Sequence, residues 1–126
     1  MNKRPNVTIK ILLRHGKRVL MLRRKNGAND FPGGRMEWKE SMLGALKREL
    51  IEELNYSLDK EPKLFDVWNY ISKNKQRHSV FIYYIYRLDK KPRLISQENA
   101  EILWLTKKDL LSIIKNQEFV NKVFRK

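Results

Sequence analysis

With 126 residues, 28 Lys and Arg against 14 Asp and Glu, and a formal net charge of +14, the chain has the length of one domain able to build a packed core and a surface that attracts anionic partners. It has no cysteine, so no disulfide staples it, and this usage fits a reducing, cytoplasmic setting. No apolar run approaches the roughly 18 residues needed to cross a bilayer, and the apolar stretch near the start is interrupted by Thr8, Lys10 and Arg14, which reads as a strand and not as a signal peptide or membrane anchor.

The elements follow in chain order. Val7, Ile9, Ile11 and Leu13 recur at a period of two and predict a strand; His15-Gly16-Lys17 turns, and Val19 to Arg23 is a second strand. Lys25 to Asp30 is a polar loop leading to Phe31-Pro32-Gly33-Gly34, where the glycines permit a sharp turn and a close approach of backbone to a ligand. Ser41 is a good N-cap, and Met42 to Leu54 holds no proline and a single glycine, so a helix is predicted there. Leu43, Leu46, Leu50 and Leu54 give that helix one apolar stripe, and Asn55, which tolerates left-handed backbone, can end it. Strands are expected at about Leu64 to Ile71 and His78 to Leu88, joined by a hairpin loop over Ser72 to Gln76, and at Ile102 to Leu105. Thr106 and Asp109 form a capping-box pattern with Asp in place of Glu, opening a helix through Ile114, and a last amphipathic turn or helix covers Phe119 to Phe124. No repeat, low-complexity segment or linker interrupts the chain, so residues 1–126 are read as one domain.

The acidic cluster in the central helix carries the chemistry. Glu49, Glu52 and Glu53 are related by i, i+3 and i+4 and share one helix face beside the apolar stripe. Like charges at this spacing repel by roughly 0.2–0.5 kcal/mol per pair, and partial burial sharpens the repulsion. A divalent cation reverses its sign, and oxygen donors with no Cys or His in the segment favour Mg²⁺ or Mn²⁺ over zinc. Arg48 can hold a neighbouring carboxylate through a bidentate pair. Glu40, just ahead of the helix, can brace Arg48 or reach the metal. Taken alone, Arg48 to Glu53 reads as a solvated helix face with internal ion pairs; Gly34 and Glu40 at fixed offsets turn the balance toward a site.

Gly34, Glu40, Arg48, Glu49, Leu50, Glu52 and Glu53 fall on the pattern Gly-x5-Glu-x7-Arg-Glu-U-x-Glu-Glu-x-Gly-U, where U is a bulky aliphatic residue. The segment thereby resembles the Nudix box, the signature of the Nudix hydrolases. Asn55 and Tyr56 depart from the last two positions, and Lys39 stands where relatives often carry Gly. Phe31-Pro32-Gly33-Gly34 resembles the family's entry to the box, and Glu98-x-x-Glu101-x-x-Trp104-Leu105 its late strand. The resemblance implies an α/β fold, the Nudix α/β/α sandwich with a mixed β-sheet and a loop-helix-loop. It also implies Mg²⁺- or Mn²⁺-dependent hydrolysis of a pyrophosphate bond in a nucleoside diphosphate-linked substrate. In that frame Glu52 and Glu53 are the main metal ligands, Glu49 is a further ligand or bridge, and Glu40 supports them. Arg48 orients a carboxylate, and a carbonyl of Gly33 or Gly34 completes the coordination. The general base is a box glutamate or a later carboxylate; for the latter Glu98 and Glu101 are candidates, each equally able to be a solvated loop residue.

The substrate is reached by elimination. The proline that marks ADP-ribose hydrolases of the family would fall at Ile71, and the tyrosine that marks dinucleoside polyphosphate hydrolases near Ser72 to Asn74; neither is present, nor is the longer motif of NADH hydrolases. A MutT-type enzyme, splitting a nucleoside triphosphate into monophosphate and pyrophosphate, leads. The alternatives are an enzyme acting on RNA 5′ ends, which the charge of +14 allows, and a non-catalytic module that binds nucleotide or RNA. Arg23 and Arg24 close a strand just ahead of the glycine loop and either contact a phosphate or stay solvated. Trp68, Tyr70, Tyr83, Tyr84, Tyr86 and Trp104 are base-stacking platforms or core and cross-strand packing. His78 is structural or a phosphate contact. Monomer and homodimer both stay open.

Overall fold

The structure, a computed structural model, describes residues 3–125. Its organising strand is β1 (Asn6–His15). Ile9, Ile11 and Leu13 on one face and Leu12 on the other are all fully buried, the continuous apolar run of a strand covered on both sides. Along its whole length β1 runs parallel to β6 (His78–Leu88), from Asn6 opposite Ser79 to His15 opposite Leu88. The remaining strands are β2 (Arg18–Arg23), β3 (Asn29–Asp30), β4 (Gly33–Arg35), β5 (Lys63–Ile71) and β7 (Glu101–Leu105), and their pairings are antiparallel. The result is a mixed sheet in the order β3-β2-β1-β6-β5, with β4 joined to β1 and β7 to β2.

Helices cover both faces. α1 (Met42–Leu54) buries Ala45, Leu46, Leu50 and Leu54 against Ile9, Ile11, Leu13 and Tyr84. α2 (Lys107–Ile113) and α3 (Gln117–Val123) bury Leu110, Phe119, Val120 and Val123 against Leu12, Met21, Phe31 and Tyr83 on the opposite face. The α/β/α sandwich implied by the resemblance is therefore the architecture. The caps are those read from the sequence. The Ser41 hydroxyl accepts from the Gly44 amide at 2.9 Å, Asn55 sits left-handed at φ 52°, and Thr106 and Asp109 close a reciprocal capping box. Among the described residues no helix is long and apolar enough to cross a membrane.

Two short elements lie where a loop and a turn were expected: β3, within the polar loop, and β4, at the glycines. Both follow from a splay in the sheet. β1 and β2 pair only at their turn, through Arg14–Val19 and His15–Arg18. β2 then leaves to pair with β7, from Val19 opposite Leu105 to Arg23 opposite Glu101. The opened edge of β1 is taken by β4, with Thr8 opposite Arg35 and Lys10 opposite Gly33. The end of β2, β4 and the outer face of α1 meet at this wedge, and the box side chains gather there.

Candidate active site

Arg48 is the hub of the first half of the site. It grips Glu40 with two parallel hydrogen bonds, Nε to Oε2 at 2.7 Å and Nη2 to Oε1 at 2.9 Å, the bidentate geometry that makes arginine–carboxylate pairs strong. Its Nη1 also donates to Glu49 at 2.9 Å and to Glu52 at 3.3 Å, and Nη2 donates to the Arg35 carbonyl at 3.0 Å. The hydrogen bond to Glu40 above all raises the already high pKa of Arg48. Arg48 and the Glu37 amide in turn hold the Glu40 carboxyl below its ordinary value. Both Glu40 oxygens are thus committed to bracing Arg48.

Glu53 anchors the second half. It is buried, 3% exposed, with Oε1 accepting from the Gly33 amide and Oε2 from Arg24 Nη2, both at 2.7 Å. Burial pushes its carboxyl up, against the opposing pull of Arg24 and the Gly33 amide. Arg24 also reaches Glu98 and Asp30, each at 3.3 Å; burial lowers its pKa, but Glu53 and then Asp30 outweigh that and raise it. Asp30 is shared with Lys10, a buried lysine whose Nζ donates to Asp30 at 3.0 Å and to the Phe31 carbonyl at 3.1 Å. The glycines are required by contact. A Cβ on Gly33 would lie 2.0 Å from the Ile9 carbonyl oxygen, and one on Gly34 would lie 2.4–2.6 Å from the Glu49 carboxylate.

The structure separates neighbours that the sequence left equivalent. Arg24 enters the cluster, whereas Arg23 turns outward, donating to Asn29 at 3.3 Å and lying 3.9 Å from Glu101. This is strand alternation, which sends successive side chains to opposite faces. Glu98 joins Arg24 beside Glu53, brought there by a segment whose Gln97 amide donates to the Glu53 carbonyl at 2.9 Å. Glu101 stays with Arg23, outside the cluster. His78 meets Asn69 at 2.6 Å on the β5–β6 hairpin. Of the aromatic residues, Tyr84 lies in the core beneath α1, with Tyr86 and Trp104 packed against it. Trp68 and Tyr83 lie on the opposite face with Phe119. There they line a cleft of about 510 Å³ with Val67, Tyr70, Phe81 and Asn116, within the usual range for a small-molecule site. Lys10, Asp30 and Asn116 were not singled out from the sequence; the only trace of Lys10 there is a charged residue inside an apolar strand.

The donor set suits a hard divalent cation. Glu49, Glu52 and Glu53 offer carboxylate oxygen only, and the missing Cβ of Gly34 leaves a cradle that the Glu49 carboxylate occupies. Among the described residues, no three acidic or histidine side chains converge as a cation cage; Arg48 bridges Glu49 and Glu52, and Arg24 holds Glu53. One strained residue borders the site: Lys39, at φ 68°, third in a turn closed by the Glu40 amide donating to the Glu37 carbonyl at 3.1 Å. Lys39→Gly removes the left-handed strain and is expected to raise stability by about 0.5–1 kcal/mol in urea unfolding; a loss of stability would show that the lysine makes compensating contacts.

The NUDIX domain model matches residues 2–126. The structure is similar to that of the MutT NUDIX hydrolase from Burkholderia pseudomallei, with a TM-score of 0.74 and 26% identity over 85% of this chain and 87% of that one. It is also similar to the MutT protein from Methanosarcina mazei Go1, at TM-score 0.76 and 21% identity over 98% and 96% of the two chains. A third match is the E. coli dihydroneopterin triphosphate pyrophosphohydrolase, at TM-score 0.76 and 18% identity over 94% of each. At those identities the last two show the fold alone. No curated protein matches the chain in sequence.

Proposed function

Since the chain belongs to the Nudix family and is a pyrophosphohydrolase, we propose that its substrates are nucleoside triphosphates, cleaved to monophosphate and pyrophosphate with Mg²⁺ or Mn²⁺ held by Glu49, Glu52 and Glu53. The observation that carries this reading is the charged row itself: Arg48 joins Glu40, Glu49 and Glu52, and Arg24 joins Glu53, Asp30 and Glu98. The phosphates are assigned to that row, and the base to the cleft beside Trp68 and Tyr70. Asn116 uses its side-chain oxygen on the Phe119 amide at 3.1 Å, which leaves its amide nitrogen to donate to a base edge.

Little covalent chemistry falls to the protein; positioning and electrostatics supply the rate. A cation held by Glu49, Glu52 and Glu53 would supply charge neutralisation at the phosphates and a more acidic water. Arg48 holds Glu49 and Glu52 in place, and the Gly33 amide and Arg24 orient Glu53. The carbonyl of Gly33 or Gly34 is a further oxygen donor. Glu98 is the base: its carboxylate is 57% exposed and, among the described residues, its one ion pair is the 3.3 Å contact with Arg24, so it can accept the water proton as the new O–P bond forms and pyrophosphate leaves. Glu40 acts through Arg48.

The test is product analysis with Mg²⁺ over nucleoside triphosphates (oxidised ones included), ADP-ribose, dinucleoside polyphosphates and triphosphorylated RNA. Pyrophosphate release from the triphosphates is expected; turnover of another class alone overturns the assignment. Glu98→Gln is expected to lower kcat by about 10²–10⁴-fold, the range for a lost general base. Glu101→Gln should stay within about twofold, because among the described residues its only ion pair is the exposed 3.9 Å contact with Arg23.

A further inference from the structure

Lys10 is a buried charge that the mechanism above does not use. It lies in the middle of β1 and is 6% exposed, with Gly33 opposite it on one side and Tyr83 on the other. Its neighbours along the strand, Ile9, Ile11, Leu12 and Leu13, are apolar and fully buried, so nothing local calls for a lysine. An ammonium taken out of water needs compensation. Lys10 finds it in two oxygens, donating to Asp30 Oδ2 at 3.0 Å and to the Phe31 carbonyl at 3.1 Å.

The oxygen that Lys10 grips is the one Arg24 also approaches. Arg24 Nη2 lies 2.7 Å from Glu53 Oε2 but 3.3 Å from Asp30 Oδ2, and its Nη1 lies 3.3 Å from Glu98. One nitrogen thus faces two carboxylates and stands nearer to Glu53. Lys10 accounts for that choice: it neutralises Asp30 and repels a second cation from the same oxygen. Without it, Arg24 would be the one remaining cation on Asp30 among the described residues, and the unneutralised carboxylate would draw Arg24 off Glu53 and Glu98. We propose that Lys10 is a positioning residue for the hydrolysis: by saturating Asp30 it leaves Arg24 to orient Glu53 and to hold Glu98. Its effect on catalysis rests on the reading above of Glu53 as a metal ligand and Glu98 as the base; its effect on the placement of Arg24 does not.

The test compares Lys10→Met with the double variant Lys10→Met/Asp30→Asn, by kinetics and by metal-free crystal structures. Methionine keeps an unbranched stem and drops the charge, and Asp30, 38% exposed, keeps Arg24 and water, so no charge is stranded in the core. Thermal melts check that each variant is folded at the assay temperature. Should Lys10→Met melt below it, Lys10→Gln, which keeps a donor for Asp30 without the charge, takes its place with the same expected outcomes. Lys10→Met is expected to lower kcat by about 10–10²-fold, the scale for a displaced catalytic group, with KM for the triphosphate nearly unchanged. In its structure Arg24 Nη2 should close on Asp30 to about 2.8 Å and open from Glu53. Asp30→Asn in the same chain removes the anion that draws Arg24 away and should return kcat to within about threefold of wild type. Wild-type kcat in Lys10→Met, as a lysine serving the fold alone would give, overturns the proposal. So does Arg24 keeping its distance to Glu53, or a loss that Asp30→Asn does not relieve, which would trace to packing at residue 10. The structures need neither substrate nor metal, so the two readings fail separately. Arg24 shifted in the variant of an enzyme that hydrolyses another class removes the triphosphate reading alone; triphosphate turnover with Arg24 unmoved in the variant removes this inference alone.

Discussion

Glu53→Gln is expected to lower kcat by about 10³-fold in saturating Mg²⁺ while the protein stays folded. The substitution is isosteric, so the acceptor for the Gly33 amide, now 2.7 Å from Oε1, survives. What changes is the other oxygen. Oε2 accepts from Arg24 at 2.7 Å, and an amide nitrogen there would set donor against donor. Arg24 keeps Asp30 and Glu98, each at 3.3 Å, and is not left uncompensated; the stability loss should stay near 1–2 kcal/mol, the scale of one buried hydrogen bond made unfavourable. The catalytic loss is larger because an oxygen anion is removed from a three-carboxylate donor set whose affinity depends on charge, in a site where one misplaced charged group is worth 10²–10³-fold. Initial rates and a Mg²⁺ titration on both proteins, with thermal melts beside them, separate the two effects. A kcat within tenfold of wild type, with the melt unchanged, would remove Glu53 from the metal-holding set. Glu40→Gln offers the contrast. It breaks the bidentate brace of Arg48 without touching the three carboxylates, so its activity loss should be smaller.

The parts of this site that were legible before the structure are those set by local spacing. α1 begins at Met42 and ends at Leu54 as predicted, because its cap, its leucine stripe and its left-handed Asn55 are all signals within a few residues. The bidentate use of Glu40 by Arg48 lay within reach for the same reason: only the N-cap Ser41 and the opening turns of α1 lie between them. β3 and β4 were not legible. Strands of two and three residues cannot display a period of two, and β4 exists because β2 leaves β1 free, a property of the sheet and not of Gly33-Gly34-Arg35. The same limit separates Arg23 from Arg24 and Glu98 from Glu101. Each pair is chemically alike, and only the register of β2 on β7, with Arg23 opposite Glu101, decides which member turns to Glu53. Lys10 was hidden by its surroundings. A lysine in an apolar strand reads as a solvated edge until Asp30 and the Phe31 carbonyl are found above it.

Alanine at the two adjacent glycines of β4 is expected to fail in two different ways. At Gly33 the backbone has φ 132° and a Cβ would meet the Ile9 carbonyl oxygen at 2.0 Å and the Lys10 Cα at 2.8 Å. Both are backbone atoms of the central strand, and neither can move without disturbing the pairing of β1 with β6 along its whole length. Gly33→Ala should therefore cost at least about 4 kcal/mol, the range reserved for strain or lost core structure. For a domain of this size that is a fall in Tm of roughly 12–20 °C, with activity lost because the Gly33 amide no longer reaches Glu53. At Gly34 the obstructing atoms are the Glu49 carboxylate, at 2.4–2.6 Å. That group is the far end of a flexible side chain and can swing aside. Gly34→Ala should therefore melt within a few degrees of wild type, yet lose activity and require more Mg²⁺, since the carboxylate displaced is one of the three proposed metal ligands. Thermal melts and Mg²⁺-dependent rates on both variants test the pair. If Gly34→Ala instead melted as low as Gly33→Ala, the glycine would be serving the packing of α1 on β4. If it kept full activity, the placement of Glu49 against the Gly34 backbone would have no part in catalysis.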